Sequence, residues 1–158
     1  MEARSVKLWR VTRSIHCALD GAGAVAHGAR YSPPGLPIVH FASEAGLAVL
    51  IALRYQPADP AACATDLVLG SIELDCEPER VPADLDEPGV QAWVTRWLTE
   101  RRSLLAAIVS RVLPEGDVIL FNPRHRDAGM AGPLRTRPFS FSECLHIPPM
   151  RATYEVAR

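Results

Sequence analysis

Residues 28–54 read GARYSPPGLPIVHFASEAGLAVLIALR, and three kinds of backbone succeed one another within them. Small residues and two prolines fill Gly28 to Gly35, and neither a helix interior nor a central strand accepts that mixture, so an irregular loop is expected. Pro37 to Phe41 (PIVHF) then reads as a short strand. Ser43 is placed to N-cap a helix running to about Arg54, with Glu44 in the first turn, where the helix dipole favours a carboxylate. Loop, strand and helix in quick succession point to a domain in which both element types interleave.

The flanking sequence extends that pattern. Upstream, Lys7 to Thr12 (KLWRVT) alternates apolar and polar residues as a half-buried strand does, and Asp20 to Gly35 is Gly-, Ala- and Pro-rich and is expected to be irregular throughout. Downstream, Thr65 to Leu74 reads as a strand and the acidic, Pro-rich Glu77 to Pro88 as a loop. Val90, Trp93, Val94, Trp97 and Leu98 recur at helical spacing, so Val90 to Arg101 is expected to bury one helix face. Leu104 to Val109 and Val118 to Phe121 are buried-strand candidates, followed by a loop from Asn122 to Gly132 and a last strand near Phe139 to Phe141. The irregular alternation predicts an α+β fold, a single domain with a mixed or antiparallel sheet. Neither GxGxxG nor GxxxxGK[ST] occurs, which argues against a doubly wound nucleotide-binding sheet.

At 158 residues the chain suits one domain with one substantial core. Seventeen Lys and Arg against 18 Asp and Glu give a net charge of −1, which supplies no long-range field for a nucleic-acid backbone. A membrane is not expected as partner either. The longest apolar run, Leu47 to Leu53, has seven residues against the roughly 20 that a spanning helix needs, and Met1 to Arg13 is too charged for a signal peptide. Cys17, Cys63, Cys76 and Cys144 are scattered and form no CxxC or Cys/His cluster, so no metal site is expected and a reduced, cytoplasmic setting fits best.

Few residues stand out as chemical candidates. Arg30 lies in the loop between small neighbours, Gly28 and Ala29, and Tyr31, which leaves its planar fork free for a phosphate or carboxylate. His40 ends an apolar strand just before the expected helix start, a place where outward-pointing backbone N–H groups collect anions. Ser110 follows the apolar run LLAAIV, and Asn122, Pro123, Arg124 and His125 follow VILF, so both sets are expected at a shared rim of the sheet.

LWRV from Leu8, GARYSPPGLPIVHFASEAGLAVL from Gly28 and ILFNPRH from Ile119 together resemble the RES-domain family, the toxins of RES–Xre toxin–antitoxin pairs. The resemblance covers about residues 7–145 of a single domain. It implies an ADP-ribosyltransferase-like fold and an enzyme that takes NAD+ as substrate, degrading it by hydrolysis or phosphorolysis or transferring ADP-ribose to protein. Arg30 falls on the family arginine, Tyr31 on the aromatic after it, Ser110 on the late serine and Asn122 on the asparagine 12 residues further on. The resemblance also implies an Xre-type antitoxin as partner and leaves a homo-oligomer open.

Two positions depart from the family pattern. His40 stands where the family has tyrosine, and Ile51 where it has glutamate. Cleaving the nicotinamide–ribose bond develops positive charge on the ribose, which a carboxylate stabilises and isoleucine cannot; one such group is typically worth about 10²–10³ in rate. Glu44, seven residues before Ile51 and so near the same helical face, is the expected stand-in, with Glu73 and Asp75 as further carboxylates lacking motif support. Without a substitute acid, the chain would be a domain that keeps the pocket and recognises a ligand or partner with little turnover.

Overall fold

The computed structural model describes residues 4–144. Strands β1 (Val6–Arg13), β2 (Val39–Ala42), β3 (Leu67–Leu74), β4 (Glu79–Arg80), β5 (Leu105–Val109), β6 (Asp117–Phe121) and β7 (Arg135–Pro138) form one sheet in the order β4-β5-β6-β2-β1-β3-β7. Every neighbouring pair is antiparallel except β4 with β5, so the expected α+β fold with a mixed sheet is what forms. The helices are α1 (Ala22–His27), α2 (Ala45–Leu53), α3 (Glu87–Glu100) and α4 (Phe141–Cys144). None of them is long and apolar enough to cross a membrane.

Alternation along the strands sorts the core onto two faces. Leu8, Val39, Phe41, Ile72, Leu105, Ile119 and Phe121 form one buried face. The other is covered by two helices, each over its own half of the sheet. Over β5 and β6, α3 packs Val90, Val94, Trp97 and Leu98 against Ala106 and Leu120. Over β1 and β3, α2 packs Leu47 and Ala48 against Trp9, Val11 and Leu69. β2 runs between these two territories, and it meets β1 at a single paired position, Trp9 opposite Ala42.

Helix α3 begins three residues before its expected start because Asp86 caps it, accepting the Gly89 N–H at 2.9 Å, and Pro88 sits in the first turn, where no N–H is needed. It ends at Arg101, which takes the left-handed conformation at φ +49°.

Several local expectations give way. The loop from Asp20 to Gly35 contains α1, whose sequence AGAVAH is rich in the best helix former and lies between Gly21 (φ +69°) and Gly28 (φ +76°). Ser43 does not cap α2: its Oγ accepts the Asp117 N–H at 2.9 Å and ties the end of β2 to the start of β6, so Glu44 takes the cap position with no side-chain cap bond. Within the expected loop Glu77 to Pro88, β4 pairs with β5, anchored by a two-pronged contact of Arg80 with Asp117 at 2.7 Å on each arm. The last strand is RTRP at 135–138, an exposed edge with no apolar signal, while Phe139 packs beside α2 and Phe141 opens α4. The expected outer bound of the domain core, residue 145, lies outside the described residues.

Candidate functional site

Because α2 and α3 each cover half of one sheet face, a gap remains above β2, and it forms a cavity of about 360 Å³. The volume is that of a small-molecule site. Its floor includes His40, which has the strand parity of Ala42 and not of the core residues Val39 and Phe41. The loop after α1 supplies Arg30 and Tyr31, α2 supplies Ile51, and the turn between β5 and β6 supplies Ser110 and Arg111.

Arg30 is held in place by its surroundings. Its carbonyl accepts a hydrogen bond from Gln91 Nε2 at 3.0 Å, and its guanidinium carbon lies 5.4 Å from the Tyr31 ring centroid. Glu87, at the start of α3, reaches Arg30 at 3.7 Å and Arg111 at 3.3 Å, so one carboxylate bridges two guanidinium groups of the lining. The two guanidinium groups are thereby held from behind by one carboxylate.

Tyr31 is buried and stacks on His40, with centroids 6.4 Å apart and planes 28° from parallel. Burial, reinforced by the positive charge of Arg10, pushes the His40 pKa down to about 4, so the imidazole is neutral at physiological pH. Its Nε2 is sealed from solvent and has no hydrogen-bond partner among the described residues. Arg10 also contributes to the lining, but it has the strand parity of Leu8 and its guanidinium lies 5.9 Å from the Phe41 ring centroid.

Ser110 is buried, and its Oγ accepts the N–H groups of Val112 and Leu113, both at 3.3 Å. The hydroxyl proton is left available to a ligand. The structure thus brings Arg30, Tyr31, His40, Ile51 and Ser110 to one cavity.

Two other candidates stand apart. Asn122 does not share a rim with Ser110: β5 and β6 are antiparallel, so their C-termini lie at opposite ends of the strand pair, about 20 Å of strand apart. Buried there, it donates through Nδ2 to the Leu98 carbonyl and accepts the Arg124 N–H, closing the turn after β6. Glu44 is exposed and outside the lining. It precedes the first helical residue in extended backbone (φ −140°, ψ 149°), and α2 folds back over the sheet, which carries Ile51 into the cavity and leaves Glu44 at the turn. Neither Glu73 nor Asp75 lines the cavity; Glu73 pairs with Lys7 at 3.4 Å.

Sequence reasoning missed Arg54, Tyr55 and Arg111, all of which line the cavity. Arg54 and Tyr55 fall three and four residues after Ile51, the spacing that puts them on the same helical side, and that periodicity was the available signal. Arg111 follows Ser110 directly.

Comparison with known proteins places the chain in a family. The RES domain model matches residues 7–142. The chain is 31% identical over 131 residues to Toxin Res of Pseudomonas putida, covering 78% of this chain and 89% of that one. It is 30% identical over 140 residues to the Prs ADP-ribosylating toxin of a Sphingobium species, covering 78% and 86%. The crystal structure of the M. tuberculosis MbcT–MbcA toxin–antitoxin complex contains a similar fold, with a TM-score of 0.66 at 17% identity over 89% of this chain and 87% of that one. With the family model spanning most of its length and two relatives at 30% identity or above, the chain belongs to the RES domain family.

Proposed function

We propose that this RES domain is a toxin-like enzyme that binds NAD+ in the cavity above β2 and breaks its nicotinamide–ribose bond in the cytoplasm. The observation that carries the reading is the meeting of Arg30, the Tyr31–His40 stack and Ser110 in one cavity of ligand size. Arg30 supplies a planar fork for the pyrophosphate, held from behind by Glu87. The stacked rings offer a flat apolar surface to the nicotinamide or the base, and Ser110 donates its proton to a ribose hydroxyl or the carboxamide. The bond between ribose C1′ and the ring nitrogen breaks with its electron pair going to that nitrogen. Water, phosphate or a protein side chain closes on C1′ and releases a proton.

Ile51 favours a second reading. Among the described residues no Asp or Glu lines the cavity, so the positive charge that develops on the ribose lacks a carboxylate to face, and turnover is slowed about 10²–10³-fold relative to a site with one. In the limit the domain binds the dinucleotide without cleaving it. The MbcT relative is found with an antitoxin, and a comparable partner of the Xre type, covering the mouth of the cavity, fits this chain. Incubating the pure protein with NAD+ and following free nicotinamide by chromatography tests the enzyme reading. Release that stops in Arg30→Ala supports it, and binding with no release over many hours moves the assignment to the second reading.

A further inference from the structure

The charges around the cavity are one-sided. Arg30, Arg54 and Arg111 contribute to its lining, Arg10 joins it from β1 with its guanidinium over Phe41, and no acidic side chain among the described residues lines it. Glu87 offsets part of the charge of Arg30 and Arg111 from outside the lining. Arg10 and Arg54 have no carboxylate within ion-pair distance among the described residues. Val11, Ala48, Ile51 and Ala52 line the cavity as well and hold nothing that could balance a cation. The field of Arg10 extends to the cavity floor, where it helps keep His40 unprotonated.

A dinucleotide presents two different charges to such a site. The pyrophosphate is anionic and suits the guanidinium groups, whereas the oxidised nicotinamide ring is a cation and finds arginines and neutral side chains but no carboxylate among the described lining residues. We infer that the cavity selects by charge, binding the diphosphate ligands whose far end is uncharged, the reduced dinucleotide and ADP-ribose, more tightly than the oxidised dinucleotide. The inference rests on the dinucleotide reading above and adds its direction of preference. It implies that ADP-ribose, where water is the acceptor, competes with the oxidised dinucleotide for the cavity.

Titration calorimetry with three probes tests this: NADH, ADP-ribose, and the carba analogue of NAD+, in which a carbocycle replaces the nicotinamide ribose so that the cationic ring cannot be cleaved off. NADH against the carba analogue is the cleaner comparison, because ring contacts are nearly the same and the charge differs. A unit charge several ångströms from an unbalanced guanidinium in a partly solvated site corresponds to roughly tenfold in affinity. NADH and ADP-ribose are therefore expected to bind at least about tenfold more tightly than the carba analogue. Ile51→Glu should narrow that gap and Ile51→Gln, of nearly equal size, should leave it. If the glutamate variant does not fold, the ranking in the unmodified protein decides alone. Equal or tighter binding of the carba analogue overturns the charge inference while leaving the dinucleotide reading intact. No binding of any of the three overturns both.

Discussion

Lowering the pH from 7.5 to 5 should destabilise this protein through one side chain, His40. Its folded pKa of about 4 lies below the ordinary 6.5, because the ring is buried and faces the charge of Arg10. Between those two values the unfolded chain binds the proton and the folded chain does not, so stability is complete above about pH 6.5 and is lost as the pH falls towards 4. Each tenfold difference in proton affinity between the two states corresponds to about 1.4 kcal/mol, so the loss from this group is about 2 kcal/mol at pH 5 relative to pH 7.5, approaching about 3 kcal/mol near pH 4. Urea unfolding at the two pH values, in the unmodified protein and in His40→Phe, isolates the effect. Phenylalanine keeps a ring against Tyr31 but cannot titrate, and every other histidine and carboxylate is common to both proteins. The unmodified protein should lose about 2 kcal/mol more than the variant between pH 7.5 and 5. An equal loss in both would mean that the folded imidazole takes up its proton as freely as in water, and the sealed, partnerless Nε2 would be refuted as a description of this site.

Three further outcomes are expected. Arg30→Ala should weaken dinucleotide binding roughly 10- to 150-fold by calorimetry, the worth of a charge-assisted fork on phosphate, with little change in thermal unfolding because the side chain is part-exposed. Leu120→Ala should cost about 2–5 kcal/mol in chemical unfolding, since Leu120 is fully buried between β6 and α3 and its removal leaves a void against a rigid helix. Gly21→Ala should cost about 1–3 kcal/mol in the same assay, because a Cβ there would lie 2.5 Å from the Ile38 nitrogen at a φ of +69°.

The periodic elements were legible in the sequence because each is fixed by local rules. Alternation in KLWRVT and the 3.6-residue spacing of Val90, Val94 and Trp97 state which side of an element is apolar, and burying that side needs no knowledge of the partner. Elements without an apolar signal escaped: β7 is RTRP, an edge strand whose identity comes from pairing with β3, and β4 is two charged residues held by β5 and by Arg80 on Asp117. Ser43 departs from its expected role for a related reason. A serine before a helix has two uses for its oxygen, and the neighbouring β6 N–H outcompeted the helix's own.

For the site, the sequence determined which residue types are present: a loop arginine with an aromatic after it, a histidine in a strand, a serine after another strand, and an isoleucine on the helix that follows the histidine. Which of them meet was decided by the tertiary structure alone. Ser110 and Asn122 look equivalent along the chain, each following an apolar strand, yet the antiparallel pairing of β5 and β6 sends them to opposite ends of the strands. Glu44 and Ile51 look equivalent on a helical wheel, yet the chain reverses at Glu44, and only Ile51 is carried back over His40. The concentration of arginines around this cavity has the same origin: their charges are dispersed through a chain of net charge −1, and they converge only where two helices leave the middle of a sheet uncovered.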